Sequence, residues 1–297
     1  MSEDRTVTWR ELLAETVGRL AEAEVSGPEA EARWLVEEVT GLEGAELVLG
    51  LGEPATARGV ARLDALAERR VGGEPIQYVL GHWAFRHLDL LCDRRVLIPR
   101  PETEQVVDVA LAELDRVRSS GAEPHRQVVA DLGTGSGAIA LSVAAERPGT
   151  DVWGVDRSGN ALAVARANLA GLGMAGARVR LVEGDWFEPL PVDLRGALDL
   201  VVTNPPYVGA SEDLPSSVRE WEPVEALVSG PSGLEAYEVL LADAAVWLVP
   251  GGAFVAEIGS AQGAAVATLA ADAGLDRVRV VRDHAGLDRA VVAARPG

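Results

Sequence analysis

From residue 127 onward, apolar runs of strand length alternate with stretches of helical periodicity, and this alternation constrains the fold most strongly. Residues 128–131, 151–156, 178–182, 198–203, 253–258, 278–282 and 290–293 read as strands. Residues 138–146, 160–169, 234–248 and 262–273 read as helices. Apolar strands separated by helices predict an α/β fold with a parallel sheet buried on both faces. Residues 208–233, rich in Ser, Pro and Glu, predict one long loop after a strand, a place where function often resides.

The preceding 126 residues have a different character. Residues 8–72 read as helices. Thr8 and Glu11 have capping-box spacing ahead of Trp9, Leu12, Leu13, Val17 and Leu20. Pro28 can open a second helix with Trp34, Leu35 and Val39 on its apolar side and Gly41 as its stop. A third is predicted from about Ala55 to Val71. Residues 77–80, 82–85 and 88–91 look like short strands of a hairpin linker. A helix follows from about Glu102 to Arg118. The domain expectation is a small all-helical unit over 1–74, a β-hairpin linker over 75–100 and a larger α/β domain over 101–297.

Charge narrows the chemistry. The 297 residues carry 46 Asp+Glu against 27 bases, all of them Arg, for a net charge of −19. Residues 1–80 hold 8 Arg and 16 acids, and residues 105–297 hold 15 and 26. Such a chain does not bind duplex nucleic acid by broad phosphate neutralisation. With no Lys, a P-loop lysine, a Schiff-base lysine and a lysine general base are all excluded. One cysteine, Cys92, excludes an intrachain disulfide framework and points to a reducing compartment. The start shows no basic region followed by an apolar one, and no apolar run has membrane-span length. The expectation is a cytoplasmic protein with no membrane partner. His82, His87, His125 and His284 lack metal-ligand spacing, so no metal is expected.

Four motifs carry chemistry. Gly133, Thr134, Gly135, Ser136 and Gly137 sit where the first strand of the α/β region becomes a helix. Glycines there permit a sharp turn and let a ligand lie against the main chain. The run reads as G-x-G-x-G or G-x-G-x-x-A, so a dinucleotide fold or a tight turn without a ligand would also accept it. Asp156 ends the next strand, where a carboxylate can accept from both hydroxyls of a ribose. Its charge argues against a phosphorylated ribose, and the plainer alternative is a helix cap. After the third strand, Asp185 can accept from an adenine amino group and Trp186 can pack on the purine. Either could also be an ordinary turn acid or core aromatic.

The fourth motif is Asn204, Pro205, Pro206 and Tyr207, directly after strand 198–203. Two prolines stiffen the backbone and supply no N–H donors. The Asn204 side-chain oxygen and the Pro205 carbonyl are left to accept hydrogen bonds, and Tyr207 can stack on a flat group. Two adjacent acceptors suit a planar NH2. They can hold its hydrogens so that the delocalised lone pair turns towards a methyl donor. Proximity and orientation then supply most of the rate.

Together these features resemble the class I S-adenosylmethionine-dependent methyltransferases. The NPPY tetrapeptide resembles those that alkylate a conjugated NH2 of adenine, cytosine or glutamine. Pro75–Gly81, Leu97–Glu104, Glu222–Leu234 and Glu257–Gly259 further resemble the protein-(glutamine-N5) methyltransferases of peptide chain release factors, the PrmC/HemK family, over essentially the whole chain. That resemblance implies a Rossmann-like seven-stranded methyltransferase domain whose last strand is antiparallel. It implies S-adenosyl-L-methionine as cofactor and the GGQ-loop glutamine of class I release factors as target. By matching positions, Gly133–Gly137, Asp156, Asp185, Trp186 and Asn204 would contact the cofactor, and Asn204–Tyr207 would hold the amide. An amino-methyltransferase of DNA or RNA shares NPPY but would need a basic recognition surface, which this charge distribution does not offer. A non-catalytic nucleoside-binding protein is the remaining alternative.

Overall fold

The computed structural model describes residues 6–120 and 126–297. It divides into two compact units, Met1–His82 and Trp83–Gly297.

The first unit is helical. Helix α1 (Trp9–Glu22) begins with the complete capping box of Thr8 and Glu11. Helix α2 (Pro28–Thr40) starts on its proline and stops at left-handed Gly41. A short helix α3 (Gly44–Gly50) follows that the sequence does not announce, because glycines at both ends mask it. Helix α4 (Ala57–Val71) is capped by the Thr56 hydroxyl, which accepts from Gly59 N–H. Leu12, Leu20, Leu35, Val36, Leu47, Leu63 and Ala67 form the buried side of these helices. Each large apolar side chain so buried stabilises by roughly 1.5–3 kcal/mol. Trp34, expected on the apolar side of α2, is instead 37% exposed.

Residues 77–80, expected as a strand, form helix α5 (Ile76–Leu80). The Tyr78 and Val79 amides donate to the Pro75 carbonyl, closing a turn that Gly81 ends. The last carbonyls of so short a helix need donors. Arg69 supplies them, donating to the Tyr78 and Val79 oxygens at 2.8 and 3.0 Å while its Nε and Nη2 grip Glu74. That donor lies outside the segment, so local residue pattern does not reveal the helix.

A two-stranded ribbon, β1 (His82–Phe85) and β2 (Leu88–Leu91), begins at the unit boundary, and α6 (Pro101–Ser120) follows. Arg86, at the ribbon tip with φ 54°, fastens it. Its guanidinium donates to both Glu146 oxygens at 2.6 and 2.9 Å and to the Glu104 carbonyl at 2.8 Å. Its backbone N–H donates to the Glu104 carboxylate at 3.0 Å. The Arg86 side chain is 11% exposed. Arg86→Ala is expected to cost about 2 kcal/mol, the loss of charge-assisted bonds that leaves Glu146 unpaired. A thermal melt of the full chain checks this, and an unchanged midpoint would refute it.

The large sheet is built from β3 (Gln127–Leu132), β4 (Thr150–Asp156), β5 (Val179–Glu183), β6 (Leu198–Thr203), β9 (Leu248–Glu257), β10 (Asp276–Arg282) and β11 (Asp288–Ala294). The shorter β7 (Val208–Gly209) and β8 (Val228–Gly230) pair separately, in parallel. Order across the large sheet is β10-β11-β9-β6-β3-β4-β5. Neighbours from β9 to β5 run parallel, and β11 is antiparallel to both β9 and β10. The chain thus winds outward from β3 through β4 to β5, then crosses back to β6 on the other side of β3. Such a switch leaves a crevice at the carboxyl ends of the central strands.

Helices α7 (Ala138–Glu146), α8 (Gly159–Gly171), α10 (Glu235–Trp247) and α11 (Gly263–Asp272) connect the strands, with α9 (Ser216–Arg219) a single turn between β7 and β8. Strand residues alternate between two core layers, as a pleat buried on both sides requires. Val129, Leu200, Val202 and Val255 pack with α6 and α7. Ala130, Val201, Phe254 and Ala256 pack with α10 and α11.

Residues 208–233 are therefore not one loop. The Tyr207 and Val208 amides both donate to the Leu227 carbonyl, folding the segment back on itself. Buried Val208, Glu222 and Leu227 anchor it, and the polar, proline-rich composition around them conceals these few contacts. No described helix is long and apolar enough to cross a membrane. His125 lies outside the described residues.

Candidate active site

The turns after β3, β4, β5 and β6 line one cavity of about 320 Å3, within the range of small-molecule sites. Gly133, Thr134, Gly135, Ser136, Asp156, Asp185, Trp186, Asn204 and Pro206 all face it. Residues 95–100 and Thr103 supply another wall. Three of the residues singled out from sequence do not line it. Gly137 opens α7 against Leu141, Pro205 is buried in the turn, and Tyr207 packs on the core layer beside α10.

Asp131 organises the glycine turn from below. It is fully buried at the end of β3, and its Oδ2 accepts the Thr134 hydroxyl at 2.6 Å and the Ala140 N–H at 3.0 Å. Burial pushes its carboxyl up to about 7. Above it the chain passes through Gly135 with φ +57°, and a Cβ placed there would meet nothing within 4 Å. The turn therefore presents bare backbone to open space.

Asp156 reaches across from β4. Its Oδ2 accepts Gly135 N–H and its Oδ1 accepts Ser158 N–H, both at 2.8 Å. The cap of α8 is Ser158 itself, whose hydroxyl accepts from Ala161 N–H. The Asp156 carboxyl thus shapes the glycine turn and keeps about two of its four acceptor positions. Burial raises its pKa, and the two amide bonds oppose that rise. Trp186, held at φ 45°, sets its ring against the same turn, 3.6 Å from where a Gly133 Cβ would lie. Asp156, Asp185, Glu225 and Glu235 line the cavity against Arg95, Arg100 and Arg157.

Asn204 projects from the end of β6. Its Nδ2 donates to Thr103 Oγ1 at 3.3 Å, and the Thr103 hydroxyl donates to Glu257 Oε2 at 2.6 Å. Glu257 ends β9 and is 1% exposed, and burial pushes its carboxyl up to about 7. Tyr207 holds its backbone elsewhere. Its carbonyl accepts from Gln262 Nε2 at 2.9 Å, and burial followed by Glu257 pushes its phenol up to about 12. It stays a neutral phenol.

Thr103, Glu257 and Glu222 escape motif reasoning. Glu222, 5% exposed, accepts Ile98 N–H at 3.0 Å and pairs with Arg100, tying residues 98–100 to the β7–β8 segment. Their sequence separations from these partners exceed 100 residues, and the one signal is that each lies in a stretch carrying the family resemblance. Cys92 is fully buried and its thiol is pushed up to about 12, first by burial and then by Glu222 and Asp93, so no thiolate nucleophile is available.

A seven-stranded sheet of this order, with one antiparallel strand, a glycine turn after β3 and an acid ending β4, defines a Rossmann-like methyltransferase domain. A solved methyltransferase of Pyrococcus furiosus shares this fold at TM-score 0.51 and 17% identity, over 72% of this chain and 92% of its own. The family profile of the PrmC N-terminal domain matches residues 11–81, and that of the methyltransferase small domain matches residues 113–220. A release factor glutamine methyltransferase of Moorella thermoacetica is 43% identical over 97% of this chain and 99% of its own. Another of that name from Gloeobacter violaceus is 44% identical over 92% and 93%. The chain belongs to the release factor glutamine methyltransferase family.

Proposed function

We propose that the chain transfers a methyl group from S-adenosyl-L-methionine to the side-chain amide nitrogen of the GGQ glutamine in class I peptide chain release factors. One observation carries the reading. Asn204, whose Nδ2 is engaged by Thr103, lines the same cavity as the glycine turn and Asp156. Amide recognition and nucleoside recognition therefore share one enclosure.

The residues present fit this cofactor. The open space at Gly135 admits a ligand against the backbone, and Asp156 retains acceptors for ribose hydroxyls. Asp185 and Trp186 supply an acceptor and a flat face for adenine. A sulfonium has no pyrophosphate, so the absence of lysine costs nothing, and cavity carboxylates suit a cation. When bound, S-adenosylmethionine supplies an electrophilic methyl group. Asn204 Oδ1 accepts one amide hydrogen from the cavity wall. The carbonyl of Pro205, buried in the same turn, is the second acceptor, although only Asn204 and Pro206 of that turn line the cavity. Pro206 and Tyr207 stiffen and flank the turn. Orientation by these acceptors accounts for the rate without a strong base, and the amide proton leaves to water.

Residues 1–74 serve as a substrate-docking domain, 75–100 as a linker and 101–297 as the methyltransferase domain, all acting in the cytoplasm. The deciding experiment is mass spectrometry of a class I release factor incubated with the protein and isotopically labelled S-adenosylmethionine. One methyl on the GGQ glutamine supports the reading. Methylation of added DNA or RNA, with the release factor unmodified, overturns it. Asp156→Asn is expected to weaken cofactor binding about 10- to 100-fold, the loss of charged acceptors in a buried site. Calorimetric titration giving a wild-type Kd would remove Asp156 from the cofactor site.

A further inference from the structure

We propose that Thr103 is the positioning residue that decides which face of the Asn204 carboxamide meets the substrate, with Glu257 orienting Thr103 in turn. The inference rests on the reading of Asn204 as the amide-holding residue.

A threonine hydroxyl has one hydrogen to donate and lone pairs to accept with. Above its raised value of about 7 the Glu257 carboxyl can only accept, so the Thr103 hydrogen goes to its Oε2 at 2.6 Å, a length typical of an O–H group donating to a carboxylate. Towards Asn204 the hydroxyl then has only lone pairs, so it can meet only the NH2 half of the carboxamide, as it does at 3.3 Å. A flipped amide would set two acceptors against each other. Asn204 Oδ1 must therefore turn away from Thr103 and serve as an acceptor. An NH2 substrate needs such an acceptor, and the opposite orientation would present it with two donors.

The three groups come from separate elements and are locked in place. Thr103 lies in the first turn of α6 and is 4% exposed. Asn204 follows β6. Glu257 closes β9, its backbone carbonyl accepting the Tyr237 hydroxyl at 2.8 Å and its strand position set by pairing with Ala290 of β11. Asparagine by itself has no preference between its two faces. The buried carboxylate, acting through one hydroxyl, imposes that preference.

The test uses the full chain with a release factor substrate, reading kcat, KM for the release factor and Kd for S-adenosylmethionine. Thr103→Val keeps the shape and removes the hydroxyl. It is expected to lower kcat about 10- to 100-fold through lost orientation, with cofactor Kd little changed. Thr103→Ser restores the hydroxyl and should return kcat to within about threefold of wild type on the same ground. Glu257→Gln is the second arm: it keeps size, offers Thr103 a donor as well as an acceptor, and should lower kcat in the same pattern. A wild-type kcat in either folded variant, while Asn204→Ala is inactive, overturns this inference alone. A rise in cofactor Kd together with a fall in kcat, with no rescue by serine, overturns it in favour of a packing role. Activity in Asn204→Ala instead overturns the reading beneath it.

Discussion

Asn204→Ala is expected to leave cofactor binding within about threefold of wild type and to reduce methyl transfer by at least about 10²- to 10³-fold, the scale for losing one preorganised hydrogen-bonding group aimed at a reacting centre. The asymmetry follows from where the side chain is anchored. The glycine turn is shaped by Asp131 from below and by Asp156 from β4, and neither contact passes through Asn204. The Asp156 carboxylate and the bare backbone at Gly135 therefore survive the substitution. The acceptor Oδ1 does not, and the Pro205 carbonyl alone can hold only one hydrogen of an NH2. A half-held amide keeps its lone pair delocalised and its nitrogen misaligned. Calorimetry for the cofactor and single-turnover transfer to a release factor separate the two effects. Transfer at the wild-type rate would remove Asn204 from its assigned role.

Gly233→Ala is expected to destabilise the protein by about 2–4 kcal/mol, combining left-handed strain with overpacking against backbone. Gly233 has φ +76°, and a Cβ there would lie 2.5 Å from the Tyr207 carbonyl oxygen and 3.0 Å from the Gly209 nitrogen. Neither atom can rotate aside as a side chain could. The Gln262 amide also bridges the Tyr207 and Gly233 carbonyls at 2.9 and 3.2 Å, so relief by moving one strand breaks that bridge. The displaced group is the end of the Asn204–Tyr207 turn, so transfer should fall even in the fraction that stays folded. A melt of the full chain should show a midpoint lower by roughly 5–15 °C. Gly171→Ala, where a Cβ meets nothing within 4 Å, is the control and should not lower it. A wild-type midpoint and rate in Gly233→Ala would show that the turn tolerates what its geometry forbids.

Structure that is dictated locally is legible in the sequence. The strand–helix alternation identified every strand of the large sheet, six of them to within two residues and β9 with its start placed five residues late, because a sheet buried on both faces leaves continuous apolar runs. The capping box at Thr8 and the stop at Gly41 were legible because caps are short-range hydrogen-bond arrangements. A segment that takes its hydrogen bonds from afar is not legible in this way. Residues 77–80 look like a short strand, yet Arg69 caps them as a helix. Residues 208–233 look like an unstructured loop, yet the Leu227 carbonyl gathers two amides and Glu222 anchors the segment to Ile98 and Arg100.

The same division runs through the site. The amino-acid sequence by itself determined which chemical groups exist and at which strand end each one stands. The glycine turn follows β3, the acid ends β4, Asp185 and Trp186 follow β5, and the proline-stiffened asparagine follows β6. Strand ends and turns are set by neighbours in the chain, so their motifs survive translation into one dimension. Only the tertiary structure decided that these turns open on one cavity, because that depends on β6 crossing back beside β3 rather than extending the sheet past β5. It alone decided which atom Asn204 presents. That choice is made by one hydroxyl 101 residues away and one carboxylate 154 residues beyond that hydroxyl, and a hydrogen bond over such a separation has no local pattern to betray it.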